Sequence, residues 1–404
     1  MFHGYAHSFT GALAVLASAF PGTPIGAQDT VRVRADGPPA WGTNVRLVQE
    51  LAVGRLDGPP EYALGRIFQA AVEPGGAFYL FDANDTQIRR YDAKGIFTGR
   101  IGRKGGGPGE YQTVGGMAVD RRGRLVVFDP GSRRISHFGP DGNLLDEMTL
   151  HRGAFNNFVL DSAGRMYFIV GAGGRLMEGP GAQQQYLRLS PEGKVLDSIP
   201  FPRLTAGTPP MRGFALSTSD GMRYNFTDQN LVAPYLAGGL LAARSLAYRV
   251  IVTDGGRRVL VIERSQRPVA LGAEERAQWL EWADTMQLRG RGGQYDIPRT
   301  KPFIRRLRSD HLGRIWVEVY SEAEKRLNLP EKRPDGGKQI LRWRERSTYD
   351  VFSATGQYLG RVALPAETVL LAVQGNRLYT RGRGPDDEER VVVYRMAVPD
   401  RPRS

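Results

Sequence analysis

Short apolar runs alternate with polar turn residues along most of the chain. The run Phe78–Asp82 is followed by a brief polar turn and a second apolar stretch at 87–91, and the same arrangement returns at 125–129 and 134–138. Short runs bounded by Gly, Asp and Asn are typical of β-strands joined by tight turns. The pattern therefore predicts an all-β, antiparallel fold.

The strand pattern also repeats. Val53–Tyr62 aligns with Ile101–Tyr111, and Asp82 and Asp129 occupy equivalent positions 47 residues apart. A Gly-containing turn that closes each unit recurs at 91–95, 138–142, 189–193, 252–256 and 352–356, and a sixth unit covers 369–394. Four short strands per unit of roughly 40–50 residues is the period of a propeller blade. The sequence therefore predicts a six-bladed β-propeller of four-stranded antiparallel blades.

A ring of blades must close, because one blade cannot bury both of its faces alone. A strand-like segment at 44–53 precedes the first full repeat, so we expect it to complete the last blade. The propeller would then cover residues 44–398 as one domain.

Two insertions interrupt the period. Residues 272–290 have the features of a helix: Trp279, Trp282, Ala283 and Met286 share one face, and acidic residues precede them. This helix either packs against the ring or forms a lid over one mouth. The second insertion, 321–338, is charged and predicts a long surface hairpin loop.

The N-terminus has the pattern of an export signal. An apolar run at 11–20 is followed by Pro21 and by a small residue, Ala27. We expect a signal peptide at 1–27, a flexible segment at 28–43 and a periplasmic or secreted protein. The alternative is a disordered N-terminal tail. The run is too short for a membrane span, which takes about 20 apolar residues, and no other stretch is long and apolar enough.

The repeat at 101–111, with its Gly-rich turn and Pro108-Gly109-Glu110-Tyr111, resembles the NHL repeat. The chain as a whole is similar to exported bacterial six-bladed propellers of the TolB-like class. Segments 261–264 and 310–317 add to that resemblance. This resemblance implies a six-bladed propeller fold and an exported protein. For function, it implies only that the protein binds a ligand.

Composition narrows the chemistry. The formal net charge is +13 and the chain has no cysteine. Disulfides, thiolate metal centres and cysteine nucleophiles are therefore excluded. Excess positive charge attracts polyanions, although a GC-rich genome produces the same arginine bias. Export argues against nucleic acid, so we expect a protein, a glycan or another anionic ligand as the partner of a monomer.

Clustered arginines are the candidate ligand-binding residues. A low-dielectric funnel mouth lined by arginines would focus its field on an anion, whereas the alternative is a solvated basic surface. The candidate residues are Arg212, Arg223, Asn225, Arg305, Arg306, Arg342 and Arg344.

Four acidic residues are candidates for a divalent-cation site: Asp82, Asp129, Glu263 and Asp310. Hard cations take carboxylate oxygens, but Asp also caps tight turns, and no cofactor is otherwise indicated. The sequence favours an exported binding module without catalytic residues. The alternative is a metal-dependent hydrolase similar to propeller lactonases, in which acids from separate blades would meet at the axis.

Overall fold

Six antiparallel sheets surround one axis in the computed structural model. It describes residues 30–42, 45–150, 156–171, 184–202, 204, 215–217, 223–226, 228–253, 259–285, 297–326 and 342–398. Each blade contains four antiparallel strands in chain order, but blade 5 has a hairpin inserted between its second and third strands, and blade 6 takes its fourth strand from the N-terminal segment. A further N-terminal strand joins the outer edge of blade 4 in parallel. The prediction of a six-bladed β-propeller is confirmed.

The strands are numbered in chain order. Before the first blade lie β1 (Thr30–Arg34) and β2 (Arg46–Val53). Blade 1 contains β3 (Ile67–Val72), β4 (Phe78–Asp82), β5 (Gln87–Tyr91) and β6 (Phe97–Ile101). The next connector contains β7 (Arg103–Lys104) and β8 (Glu110–Tyr111). Blade 2 contains β9 (Gly116–Val119), β10 (Leu125–Asp129), β11 (Arg134–Phe138) and β12 (Leu144–Thr149). Blade 3 contains β13 (Asn156–Leu160), β14 (Met166–Gly171), β15 (Gln184–Leu189) and β16 (Val195–Pro200).

The second half of the ring follows a short hairpin of β17 (Ala215–Ser217) and β18 (Arg223–Asn225). Blade 4 contains β19 (Asn230–Pro234), β20 (Leu240–Arg244), β21 (Arg249–Thr253) and β22 (Val259–Glu263). Helix α1 (Ala273–Thr285) precedes blade 5, which contains β23 (Ile304–Ser309), β24 (Ile315–Val319), β27 (Thr348–Phe352) and β28 (Tyr358–Ala363). Between β24 and β27 lies a hairpin of β25 (Ala323–Lys325) and β26 (Trp343–Glu345). Blade 6 contains β29 (Val369–Gln374), β30 (Arg377–Arg383) and β31 (Glu389–Ala397).

The hydrophobic core lies between neighbouring blades. The second strand of blades 1 and 2 is buried at every position, because each middle strand is covered by a blade on both sides. Between blades 2 and 3, the rings of Phe128 and Phe168 meet edge to face with centroids 4.9 Å apart. This packing explains the nearly continuous apolar runs in the middle strands, where a sheet with one solvated face would alternate.

The first strand of each blade lies nearest the axis, and β3 contacts both β9 and β29. The ring has two faces. The first face carries the turns between the first and second and between the third and fourth strands of each blade. The second face carries the turns between the second and third strands, together with the connectors between blades. Both insertions belong to the second face.

An N-terminal strap, residues 30–42 and 45–53, runs along the outer strands of three blades. Strand β1 pairs in parallel with β22 of blade 4, and β2 pairs antiparallel with β31 of blade 6. Between them, the backbone N–H of Trp41 donates to the carbonyl of Leu359 in blade 5, at 2.7 Å. The closing strand is confirmed. The segment 28–43, expected to be flexible, contains strand β1, because the free edge of β22 offers it hydrogen-bond partners.

Some predictions lie outside the described residues. These are the signal peptide at 1–27, Asn44, Arg212, the last part of the helical segment at 286–290, and 327–338 of the second insertion. Within the described residues, the inserted segment contributes one α-helix, and no helix there is long and apolar enough to cross a membrane.

Candidate functional site

Asp82 ends the second strand of blade 1 and fixes the connector that leads into that blade. Its buried carboxylate accepts the backbone N–H groups of Gly65 at 2.7 Å and Arg66 at 2.8 Å, and it pairs with Arg89 at 2.8 Å. Burial alone would raise the pKa of Asp82, but the hydrogen bonds from Arg66, Gly65 and Arg89 lower it below its usual value. Asp82 therefore places Arg66 at the second face.

Asp129 has the same position in blade 2 and also accepts backbone N–H groups of the preceding connector. Its carboxylate accepts the backbone N–H groups of Gln112 and Gly131, both at 2.8 Å, and the hydroxyl of Ser132 at 2.7 Å. The repeated Asp thus joins each connector to the turn that follows the second strand, which is the capping role of Asp in tight turns.

The other two cation candidates lie apart from this pair. Asp310, in blade 5 on the first face, is buried and accepts hydrogen bonds from Arg314 at 2.6 Å and from the Trp316 indole at 2.8 Å. Glu263 ends the outer strand of blade 4 and lies 3.4 Å from Arg249. The described residues, which include all four candidates, contain no group of three or more His, Asp or Glu placed to hold an ion.

An arginine-lined cavity of about 480 Å³ lies on the second face, where blades 5, 6 and 1 meet. We call it the basic mouth. Five arginines and three carboxylates line it: Arg66, Arg326, Arg344, Arg381, Arg383, Glu367, Asp387 and Glu389. They come from the connectors into blades 1 and 6, the hairpin β25–β26 with the residue after β25, and the β30–β31 hairpin. The excess of two positive charges makes this cavity attractive to anions.

The carboxylates neutralise some of these arginines and leave others available. Arg326 is 2.6 Å from Glu367, and Arg381 is 3.8 Å from Glu389. Arg66 is exposed and makes no ion pair within the described part of the chain; its guanidinium lies 4.5 Å from the ring centroid of Phe68. Arg66 therefore offers donors to a ligand without first breaking an ion pair.

Positive charge continues from the mouth into the axial strands. The six first strands, all within the described residues, contain no Asp or Glu, and their charged residues are Arg305, Arg306 and Arg308. Arg308 donates a hydrogen bond to the carbonyl of Leu370 at 3.0 Å. Arg305 and Arg306 are paired with glutamates of blade 5 and its hairpin, so Arg308 is the arginine of these strands that has no ion pair within the described residues.

The described arginines among the predicted set lie in several places, and Arg344 is the one of them that lines the basic mouth. Arg305 is buried 2.7 Å from Glu345, and Arg306 lies 3.6 Å from Glu318. The backbone N–H of Arg342 donates to Gln278 of α1 at 2.9 Å. Arg223 and Asn225 are the two ends of β18.

A buried ionic network supports the hairpin that carries Arg344. Lys301 is 2.8 Å from Glu275 of α1 and 3.1 Å from Glu345 of β26, and Arg305 pairs with Glu345. Burial raises the pKa of Glu275, although Lys301 opposes that shift. Trp279 anchors the same helix against Phe226, with ring centroids 5.7 Å apart. The helix thus packs onto the second face.

Sequence reasoning missed Arg66, Arg326, Arg381 and Arg383. Arg381 and Arg383 alternate along β30, which places them on one side of that strand. That alternation was the available signal in the sequence. Local sequence patterns could not predict that residues of blades 5, 6 and 1, which come from opposite ends of the chain, would line one cavity.

Six blades closed by an N-terminal strand define the chain as a six-bladed β-propeller. Residues 61–196 match the model of a family, DUF5128, described as a 6-bladed beta-propeller. No curated protein matches the sequence. The more specific resemblance to NHL-repeat and TolB-like propellers remains a prediction from the sequence.

Solved structures that are similar to this chain include three bacterial proteins. A candidate exported protein from Bacteroides fragilis has 9% identity and a TM-score of 0.47, over 91% of this chain and 99% of that one. A member of the DUF4221 family from Bacteroides vulgatus has 12% identity and a TM-score of 0.49, over 89% and 99%. A gluconolactonase from Xanthomonas campestris has 15% identity and a TM-score of 0.40, over 90% and 99%. At such identities no function is transferred from them.

Proposed function

We propose that this protein is an exported binding module that holds an anionic ligand in the basic mouth. One observation carries the proposal: five arginines and three carboxylates surround a single cavity of about 480 Å³. Propellers gather loops from several blades at one mouth, so such a cavity is a rigid recognition surface.

The arginines favour ligands with planar or tetrahedral oxyanions. A guanidinium donates two parallel hydrogen bonds to a carboxylate, phosphate or sulfate, which fixes orientation as well as charge. Arg66 makes no ion pair within the described chain, and Phe68 beside it exposes 46% of its surface. An apolar ring next to a guanidinium suits the flat face of an acidic sugar, so an acidic glycan is the ligand class we favour.

The proposal that the protein is exported rests on its N-terminal sequence. The apolar run at 11–20 and the small residue Ala27 have the order of a secretory signal. A monomer in the periplasm or outside the cell would meet acidic glycans and acidic protein segments, while nucleic acid would be absent.

The test is binding of trigalacturonate, an acidic trisaccharide, measured by isothermal titration calorimetry at low salt. We expect Arg66→Gln to weaken binding about tenfold or more, since a hydrogen bond to a charged group contributes roughly 1.5–3 kcal/mol. Arg249→Gln, a surface arginine of blade 4 that pairs with Glu263, is the matched control and should leave the affinity unchanged. The methyl-esterified trisaccharide, which has no charge, should not bind.

Two results would contradict this function. One is equal affinity for the charged and the esterified trisaccharide, because the arginines would then not be recognising the anion. The other is an unchanged affinity in the double variant Arg66→Gln, Arg344→Gln, which would place any binding elsewhere on the molecule.

A further inference from the structure

A second cavity lies far from the basic mouth, on the first face between blades 2 and 3. Its volume is about 460 Å³. Apolar side chains that extend from the interblade core form its floor: Val126, Met148, Leu160 and Met166. Charged residues of two turns and of strand β12 form its rim. We call it the blade 2–3 groove.

His137 is the central polar group of the groove. Only 3% of its surface is exposed, and its Nδ1 atom has no hydrogen-bond partner among the described residues. The nearest carboxylate oxygen, from Asp146, is 3.9 Å away, beyond hydrogen-bond distance. Burial, with the nearby charge of Arg124, lowers the pKa of His137 below its usual value, so the ring is neutral at pH 7. A buried polar atom without a hydrogen-bond partner is rare in native structures and suggests that a ligand supplies one.

The rim carries positive charge on one side. Arg121 and Arg122 are exposed in the turn between β9 and β10, and neither has an ion-pair partner within the described chain. Arg124 differs, because it is 2.8 Å from Asp120. Two guanidiniums are thus available to an anionic group.

Negative charge lies on the opposite side of the groove. Asp146 projects from β12 with 61% of its side chain exposed, and Glu192 stands in the turn between β15 and β16. Neither has an arginine or lysine partner at ion-pair distance among the described residues. The groove therefore presents separate positive and negative sides above an apolar floor.

We propose that the blade 2–3 groove binds a small zwitterion with an apolar side chain, either a free hydrophobic α-amino acid or a short peptide. The carboxylate would pair with Arg121 and Arg122. The ammonium would donate to Asp146 and to the imidazole of His137, and the side chain would cover the apolar floor. This site is independent of the basic mouth.

Simpler ligands satisfy only part of the groove. An anion alone pairs with the arginines but leaves the acceptors His137 and Asp146 without a donor. An amine alone satisfies those acceptors and leaves two arginines unmatched. A ligand that lacks one charged group forgoes the hydrogen bonds on that side of the groove, so the groove should bind both simpler ligands more weakly.

The test compares L-leucine with two analogues that each lack one charged group, 4-methylpentanoate and 3-methylbutylamine. Binding is measured by calorimetry and by ligand-observed NMR at about pH 7.5, where an unperturbed or lowered histidine is neutral. We expect L-leucine or leucyl-leucine to bind, and each analogue to bind at least about tenfold more weakly than L-leucine. Leucyl-leucine binding without L-leucine binding would identify a peptide as the source of the same chemistry.

Two variants test which group of the ligand each charged side of the groove binds. The double variant Arg121→Gln, Arg122→Gln should weaken L-leucine and 4-methylpentanoate about tenfold and leave 3-methylbutylamine unaffected. Asp146→Asn should weaken L-leucine and 3-methylbutylamine only. Both changes are at exposed positions, so folding should be retained, and Arg249→Gln is the control.

The proposal is overturned if neither L-leucine nor leucyl-leucine binds at concentrations up to about 10 mM, which is weaker than the usual range for specific sites. Equal affinities for L-leucine and 4-methylpentanoate would also overturn it, because His137 and Asp146 would then have no part in recognition. Neither result bears on trigalacturonate binding at the basic mouth.

Discussion

Replacing Lys301 tests whether the buried ionic network holds helix α1 to the second face. The Lys301 side chain is fully buried, and its ammonium lies 2.8 Å from Glu275, 3.1 Å from Glu345 and 3.0 Å from the carbonyl of Ser321. Lys301→Met keeps most of the apolar stem and removes the charge. Arg305 still compensates Glu345, so Glu275 is the carboxylate that loses its partner.

The magnitude follows from the charge that is left behind. Breaking a buried pair by removing one partner costs about 3–5 kcal/mol, and we expect Lys301→Met to fall near the lower end since Glu345 keeps Arg305. Adding Glu275→Gln removes the stranded charge. The double variant should therefore be more stable than Lys301→Met alone, with a coupling of roughly 1–3 kcal/mol.

The pH dependence has a definite sign. Burial raises the pKa of Glu275 above its usual 4.5, and losing Lys301 raises it further. Folded protein then holds a proton that the unfolded chain releases, so the cost of Lys301→Met is largest at neutral pH and shrinks as the pH falls toward 4.5.

The assay is urea unfolding followed by tryptophan fluorescence, with the urea dependence of the free energy checked for a constant slope. Lys325→Met is the matched control, because Lys325 pairs with Glu274, the neighbouring residue of α1, at the solvent-exposed surface. It should have little effect on stability. A cost that is small, independent of pH, or increased by Glu275→Gln would refute this account of the network.

Three further predictions concern other parts of the ring. Asp82→Asn should lower the free energy of unfolding by about 3 kcal/mol and weaken trigalacturonate binding, because it leaves buried Arg89 without that carboxylate and releases Arg66; Asp92→Asn, at an exposed turn, is the control. Gly116→Ala should cost about 1–3 kcal/mol in urea unfolding, since a Cβ there would lie 2.5 Å from the Phe158 Cβ of blade 3. His137→Gln should reduce the fall in the free energy of unfolding that occurs as the pH drops below 6.5, because the unfolded chain protonates that histidine at a higher pH than the folded protein does. An unchanged pH profile would contradict the lowered pKa.

The fold could be predicted from sequence because it rests on local patterns that recur. The blade turns need a small residue with positive φ, as at Gly95 and Gly142, and these turns marked the repeats. The closing strand β2 was recognisable because its segment had strand-like residues and no repeat of its own to join. Strand β1 was missed, since its pairing depends on the edge of β22, more than 200 residues later in the chain.

The candidate sites were less predictable, because an arginine's role depends on distant carboxylates. Arg305 and Arg344 look alike in sequence, yet Glu345 binds the first while the second lines the basic mouth. Asp82 and Asp129 looked like cation ligands or turn caps. Their backbone partners, 16 or 17 residues earlier, are known only once the connectors are in place.

The N-terminal strap bonds to blades 4, 5 and 6, so we expect the two halves of the ring to differ in the free energy of local opening. Its backbone hydrogen bonds go to blades 4, 5 and 6, so that half can separate only by peeling one covalent segment from three sheets at once. Within the described residues, no segment of the strap bonds to blades 2 and 3, and these two blades pack through a mainly apolar contact. Their amide protons should exchange with solvent through local opening at lower free energy than those of blades 4–6. The blade 2–3 groove lies at that opening seam, so a molecule bound there would act as the strap that this half of the ring lacks.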